Sequence, residues 1–193
     1  MIEYSRVSVG RAVAVTIAAL ALAACGSGAS GPAPAIAHTA APRLTPKAPP
    51  SAASPVDAVR QQAVAAYLGM WHDVAAVSTT SDWRSPRLAD NATGDALSVL
   101  SRTMYADHYN GLVSRGQPVN NPQVSSMDPP NAPTTVMISD CGDDSNWLKY
   151  HAANGQLADD TPGGRRSITA EVKLARDGSW KVTRFAVEAV GTC

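Results

Sequence analysis

The sequence predicts an α+β fold in which N-terminal helices pack on an antiparallel sheet. Between residues 56 and 110 apolar residues recur at helical spacings of three and four. Beyond Gly116 they alternate with polar residues, and glycine and proline separate the runs. Asp177-Gly178 near the end of the chain is a common hairpin signal.

The first helix has a clear start signal. Ser54 is a suitable N-cap, Pro55 suits the first helical position, and Asp57 lies three residues after the cap. One apolar stripe follows down to about Val77, and we interpret it as core. Its members are Val59, Ala63, Ala66, Tyr67, Met70, Val74 and Val77.

Two further helices are predicted. Ser85-Pro86 opens a short one through about Ala89. The next starts near Thr93 and stops near Asn110-Gly111. One face of it carries Leu97, Leu100, Met104 and His108.

The rest of the chain predicts strands at 118–127, 133–141, 146–151, 165–176 and 179–190. Asn154-Gly155 is a second turn signal. The apolar phase of the last strand shifts by one residue, which predicts a bulge near Thr183 or Arg184.

The N-terminus has the features of an export signal. Arg6 and Arg11 precede an uncharged apolar stretch, residues 12–24, that is too short to span a bilayer. The run Leu22-Ala23-Ala24-Cys25-Gly26 resembles the lipobox of bacterial lipoproteins. The resemblance implies that 1–24 is a cleaved signal peptide. It also implies that Cys25 is thioether-linked to diacylglycerol, whose acyl chains include palmitate, and that Cys25 becomes the first residue of the mature chain and its membrane anchor. The alternative is an ordinary secretory signal that happens to end near a cysteine.

Residues 25–55 predict a tether. In the stretch 26–55, 23 of the 30 residues are Ala, Pro, Gly or Ser, which cannot build a core. Proline-rich chain extends by about 3.1 Å per residue, so this segment can hold a domain up to roughly 90 Å from the membrane. We therefore expect a lipid-anchored protein on the extracytoplasmic face of the cell membrane, with a single domain at 56–193.

Charge excludes one class of partner. Without Glu3, Arg6 and Arg11 the chain keeps 14 basic and 15 acidic side chains. Nucleic-acid binding needs a basic field, and this chain has none. Membrane attachment must also rest on the lipid at Cys25, because no polybasic patch is present.

With Cys25 acylated, Cys141 and Cys193 remain. In an exported protein an isolated pair usually forms a disulfide, and we expect one here. Two unrelated free thiols are the alternative.

The order of elements resembles the nuclear transport factor 2-like superfamily. The resemblance is carried by Tyr67-Leu68-Gly69-Met70-Trp71, by Gly116-Gln117-Pro118-Val119 and by the hairpin 177–182. The stretch 140–145 is also similar to segments of small uncharacterised actinobacterial lipoproteins. The superfamily implies a cystatin-like cone, a curved sheet wrapped on helices with a pocket at its open end. Its members include steroid isomerase-like, cyclase-like and dehydratase-like enzymes and many binding modules, so fold does not decide function.

A cone would bring helix and sheet side chains to one pocket. The candidate pocket residues are Trp71, His72, Tyr105, His108, Trp147 and Tyr150. His72-Asp73 and Asp107-His108 are candidate acid–base pairs, although neighbours on a helix point about 100° apart. No serine-hydrolase elbow is present in the sequence.

No metal site and no cofactor are expected. The histidines have no paired spacing, and the cluster of Asp140, Asp143 and Asp144 lacks the pattern of a calcium loop. We interpret that cluster as a solvated turn, and we expect any ligand site to lie elsewhere, between the helices and the concave sheet face.

Two functions remain. The first is a non-catalytic envelope protein that binds another envelope protein or a small apolar ligand. The alternative is an isomerase, dehydratase or cyclase with Asp, His or Tyr in the pocket. They separate on whether two or more of these residues converge in an enclosed pocket: His72, Asp73, Tyr105, Asp107, His108 and Tyr150.

Overall fold

The computed structural model describes residues 54–158 and 163–193, which fall within one compact unit. The expected signal peptide, Cys25 and the tether up to residue 53 lie outside the described residues. No helix in the described ranges is long and apolar enough to cross a membrane.

The fold is α+β, as predicted, with two helices packed against two antiparallel sheets. The helices are α1 (Pro55–Ser78) and α2 (Gly94–Tyr109), with a short 3-10 turn at Pro86–Ala89 between them. The strands are β1 (Leu112–Arg115), β2 (Gln123–Asp128), β3 (Thr135–Asp143), β4 (Leu148–His151), β5 (Arg165–Leu174) and β6 (Trp180–Val187).

The helix boundaries follow the local signals. The Oγ atom of Ser54 accepts a hydrogen bond from the backbone N–H of Asp57 at 3.1 Å, which confirms the predicted N-cap. Thr93 occupies the N-cap position of α2 without a side-chain hydrogen bond to the helix, and Asn110 follows its last residue. Capping signals therefore place both helices within a residue or two of their predicted ends.

The larger sheet has the order β2-β3-β5-β6, and β1 pairs with β4 in a second sheet. The hairpin at Asp177-Gly178 joins β5 to β6, and Gly178 takes φ +84° there. Glu171 lies opposite Arg184 while Val172 lies opposite Val182, so Thr183 is the extra residue of a bulge. The predicted bulge is confirmed.

The first predicted strand, 118–127, was placed too early in the chain. Pairing in this stretch is confined to a single bridge between Val119 and Asp143 until β2 begins at Gln123. Pro118 and Pro122 have no N–H to donate to a ladder, which explains the late start. Strand β1, which lies before Gly116 and pairs with β4, was not predicted.

The main core lies between α1, α2 and one face of the larger sheet. Its largest fully buried side chains include Tyr67, Met70, Ile138, Val136, Val172 and Val182. The helix contributes its predicted stripe, and alternate residues of β3, β5 and β6 supply the sheet side.

The structure joins Cys141 to Cys193, with 5.9 Å between their Cα atoms. This confirms the predicted pairing and lies within the reach of a disulfide. The bridge ties the last residue of the chain to β3.

Replacing Gly116 by alanine should lower the free energy of unfolding by about 3 kcal/mol. Gly116 takes φ +89°, and a Cβ atom there would overlap the backbone carbonyl oxygen of Asn146. Because that obstacle is backbone, it cannot rotate away. Urea unfolding followed by tryptophan fluorescence measures the loss.

Gly111→Ala is the matched control for this prediction. Gly111 also has a positive φ, +64°, but a Cβ atom there meets nothing within 4 Å. Backbone strain alone should lower the free energy of unfolding by about 1 kcal/mol. Equal losses in the two variants would contradict the steric argument.

Candidate functional site

A cavity of about 200 Å³ opens between α1 and the end of the larger sheet. It is smaller than the pockets that hold drug-sized ligands. Its lining residues come from α1, three strands and the segments that flank them: Trp71, Pro118, Asn120, Gly142, Asp144, Trp147, Arg166, Ile168 and Val187. The wall is mostly apolar.

Trp71 is held in place by other aromatic rings. Its ring lies edge-to-face with Trp147 at 6.4 Å and with Phe185 at 5.6 Å between centroids. Tyr67 packs on it in the same manner at 6.3 Å. Such contacts stabilise one orientation, so the indole is a preformed part of the cavity wall.

The polar part of the wall is an ion pair beside an amide. Arg166 Nε lies 3.0 Å from the Asp144 carboxylate, without the alignment that a hydrogen bond needs. The Nδ2 atom of Asn120 donates to Asp140 at 2.7 Å and is therefore engaged. Asp144 also accepts from the backbone N–H of Gly164.

Two buried side-chain N–H groups lack a hydrogen-bond partner within the described part of the chain. They are Trp71 Nε1 and Arg166 Nε, and both residues line this cavity. By contrast, the Nε1 atom of Trp147 donates to Ser78 Oγ at 3.3 Å. Each of the two nevertheless lies beside an acceptor, because the Tyr67 hydroxyl interacts with the side chain of Trp71 and the Asp144 carboxylate lies 3.0 Å from Arg166 Nε.

Below the cavity, Asp140 organises a buried polar network. Its carboxylate accepts from the Tyr67 hydroxyl at 2.8 Å, from Asn120 Nδ2 at 2.7 Å and from the backbone N–H of Asn121 at 2.7 Å. Burial, followed by the neighbouring Asp140 carboxylate, raises the pKa of Tyr67 far above its ordinary value. The hydroxyl therefore stays protonated and acts as a fixed donor.

A second cavity of about 180 Å³ shares Trp71, Pro118 and Asn120 with the first. His72 lines it, with its side chain 66% exposed. Trp71, Trp147 and, at this second cavity, His72 are thus the predicted pocket residues that the structure brings together.

The other three predicted pocket residues lie elsewhere. Tyr105 is half exposed and packs against Trp83 and Tyr109, and His108 is exposed at the end of α2. The core positions of this turn are Met104 and Asp107, so the residue after each is rotated away from the core. Tyr150 lies in the smaller sheet beneath the Arg115 guanidinium.

In each candidate acid–base pair the aspartate forms a salt bridge with another residue. Asp73 accepts from Arg87 Nε at 2.8 Å and from Asn91 Nδ2 at 2.7 Å. Asp107 pairs with Lys149. None of the six residues of the acid–base hypothesis lines the first cavity, and His72 alone of the six lines the second.

The interpretation of 140–144 as a solvated turn is wrong for Asp140, which is buried within β3. It holds for Asp143, which accepts from the backbone N–H of Ser145 in its own turn. Gly142 and Asp144 both line the first cavity. The ligand site was expected away from this stretch, but the cavity borders it. In the described ranges no three His, Cys, Asp or Glu side chains are grouped to hold a metal ion.

Arg166, Ile168 and Val187 line the wall but were not among the predicted pocket residues. A signal for Arg166 was available, because it stands in phase with Ile168, Ala170 and Val172 and therefore faces the helices. Gly142 is likewise in phase with Val136 and Ile138.

Comparison with known proteins gives likeness in structure alone. No protein-family model matches the chain, and none of the curated proteins matches it. The intermembrane-space region of the chloroplast protein ARC6 is similar at 22% identity, with a TM-score of 0.40, over 66% of this chain and 96% of that one. The fold class rests on the elements and pairings described above.

Two bacterial proteins have structures that are similar to this chain, with comparable TM-scores. A ketosteroid isomerase-like protein from Erwinia carotovora atroseptica shares 11% identity at a TM-score of 0.44, over 66% of this chain and 92% of that one. A protein from Catenulispora acidiphila shares 13% identity at a TM-score of 0.43, over 68% and 91%. We transfer no residue role from any of the three.

Proposed function

We propose that this chain is a lipid-anchored cell-envelope protein whose α+β domain is a non-catalytic binding module for a small, largely apolar ligand. The observation that carries the proposal is the preformed cavity beside Trp71, with mostly apolar walls and no member of the candidate pairs His72-Asp73 and Asp107-His108 among its lining residues. Cys25 supplies the membrane attachment and residues 26–55 the tether. Nucleic acid is excluded as a ligand by the neutral charge balance.

The anchor is tested in a bacterium that processes lipoproteins. The wild-type protein should fractionate with membranes and incorporate a labelled fatty acid, whereas Cys25→Ala should incorporate none and should be either left uncleaved or released from the membrane. Ser27→Ala, two residues away, is the control and should behave as wild type. Membrane association of a correctly processed Cys25→Ala protein would remove the lipoprotein assignment.

The cavity is tested with isopentylbenzene, a small hydrocarbon probe. Its addition to labelled protein should shift amide signals of the residues around Trp71, Gly142 and Ile168. If the shifts instead lie elsewhere or do not occur, the binding-module proposal fails at this site. If a partner protein shifts the same amide signals as it is added, the cavity binds that protein instead of a small ligand.

Gly142→Ala is a matched variant for this experiment. A Cβ atom at this position would approach Ile168 Cδ1 to 2.7 Å and Asn120 Nδ2 to 3.2 Å, both within the cavity wall. One added methyl group should therefore weaken binding of the probe by about tenfold. Ser139→Ala, on the same strand but exposed, should leave binding unchanged.

A further inference from the structure

The disulfide between Cys141 and Cys193 has an arginine side chain on one of its two sulfur atoms. Arg165 donates hydrogen bonds to Cys141 Sγ from both Nε and Nη2, each at 3.2 Å. Cys141 lies on β3 and Arg165 begins the neighbouring strand β5, so the pairing of the two strands holds these side chains together. The arginine therefore makes the two sulfur atoms of the bridge chemically different.

The guanidinium of Arg165 favours negative charge on Cys141. Thiol–disulfide exchange begins when a thiolate attacks one sulfur of a disulfide, and the other sulfur leaves as a thiolate. A thiolate leaves more readily when a neighbouring cation stabilises it, and arginine has this effect on reactive cysteines. Because Arg165 is always protonated, Cys141 is the better leaving sulfur.

One carboxylate lies opposite Arg165. Asp143 is its partner in the pairing of β3 with β5. Hydrogen bonds from Ser145 and, as a smaller cause, the charge of Arg165 lower the pKa of the Asp143 carboxyl, so Asp143 is negative at neutral pH. This charge offsets part of the effect of Arg165. Since both hydrogen bonds of Arg165 go to the sulfur atom, its charge still acts on Cys141 at the shortest distance.

Access selects the sulfur that is attacked. Cys193 is exposed, whereas Cys141 is half-buried on β3. Cys193 also lies past the end of β6, outside the main core. An incoming thiol therefore reaches Cys193 more readily, and access and charge favour the same direction of exchange.

We propose that this bridge is a thiol–disulfide exchange site, at which Cys193 receives the incoming thiol and Cys141 leaves. Its co-reactant is a dithiol, the paired cysteines of a partner protein. One sulfur of the dithiol, as a thiolate, bonds to Cys193 Sγ, and the bond between Cys141 and Cys193 breaks. The electron pair of that bond goes to Cys141 Sγ, which becomes a thiolate beside Arg165.

A second displacement completes the exchange. The other thiolate of the dithiol attacks its own partner sulfur, and Cys193 leaves and takes a proton from water. The dithiol is thereby oxidised to a disulfide, and the bridge gains two electrons. This activity goes beyond the binding function proposed above and does not depend on it.

Mapping of the first adduct tests the direction of attack. The full chain with Cys25→Ser keeps only this pair of cysteines. It is treated briefly with 2-mercaptoethanol, an uncharged thiol with one sulfur, and quenched with N-ethylmaleimide. Mass spectrometry should find the mercaptoethanol adduct on Cys193 about five times as often as on Cys141. Equal amounts, or an excess on Cys141, would overturn the proposal.

The rate of reduction by the same thiol tests the part of Arg165. Arg165→Gln should slow this reaction about fivefold, whereas Arg165→Lys keeps the charge and should retain most of the rate. Arg176→Gln is the matched control and should react as wild type. Arg176 is an exposed arginine past the other end of β5, roughly 30 Å from Arg165. A rate unchanged by Arg165→Gln would contradict the proposed role of the guanidinium.

A readout without any reductant isolates the Cys141 thiolate. In the Cys193→Ser variant of the same chain, Cys141 is the one remaining thiol. Its alkylation by iodoacetamide should reach half of its maximal rate at a pH about one unit higher once Arg165→Gln is added. Asp143→Asn should move this midpoint in the opposite direction, because it removes the opposing charge. A midpoint that does not respond to Arg165→Gln would show that the bridge is an ordinary structural disulfide.

Discussion

Replacing Asp140 by alanine should lower the free energy of unfolding by about 4 kcal/mol. Three donors depend on its carboxylate: the Tyr67 hydroxyl, the Asn120 amide and the backbone N–H of Asn121. The Tyr67 hydroxyl suffers most, because Tyr67 is fully buried and water cannot replace the lost acceptor. Urea unfolding at neutral pH measures the change.

Two further variants show whether the loss of stability in Asp140→Ala comes from the hydrogen-bond network or from removal of a negative charge. Asp143→Ala removes a carboxylate from the same strand that bonds to Ser145 in its own turn, and it should destabilise the protein far less. Tyr67→Phe removes one of the three hydrogen bonds and should give an intermediate loss. Equal losses for Asp140→Ala and Asp143→Ala would show that the buried network does not stabilise the fold.

Asp140 also shows why the sequence misled at this point. Three aspartates and a glycine within five residues are typical of a turn, and that local composition suggested a solvated one. Its phase with Val136 and Ile138 indicated the core side of a strand instead. The partner that makes burial tolerable, Tyr67, lies 73 residues away, and no local pattern identifies such a contact.

Features set by neighbouring residues were predictable. The cap at Ser54, the hairpin at Asp177-Gly178 and the bulge at Thr183 each depend on a few adjacent positions. The division of the strands into two sheets depends instead on the pairing of β1 with β4. Because β1 has only four residues, its sequence pattern is too short to predict that pairing.

The pocket residues were predicted from their type, as aromatic or titratable side chains. The prediction was right where the residue also lies on the core-facing side of its helix or strand. Trp71 and Trp147 line the cavity, whereas Tyr105 lies one residue past an inward position and is exposed. Arg166 was not among the predicted pocket residues, although its phase places it inward. Orientation is therefore the better guide to the wall of this cavity, and residue type then tells what the wall can bind.

Reducing the bridge between Cys141 and Cys193 should lower the free energy of unfolding by about 4 kcal/mol, by the loop-entropy estimate. The two cysteines are 52 residues apart, so the bridge removes much of the freedom of the unfolded chain. Reduction should also raise the dependence of that free energy on urea, since a longer free chain exposes more surface. Urea titrations with and without dithiothreitol measure both effects.

The double variant Cys141→Ser with Cys193→Ser provides the control, because dithiothreitol should leave its unfolding unchanged. In the folded protein the disulfide fixes only the exposed residues after β6, and backbone hydrogen bonds to β5 also hold these residues in place. Glu188 N–H donates to Ser167 O at 2.9 Å, and Gly191 N–H donates to Arg165 O at 2.8 Å. We therefore expect the reduced protein to keep its native tryptophan fluorescence while becoming easier to unfold. Identical urea midpoints for oxidised and reduced wild-type protein would contradict a stabilising role for the disulfide.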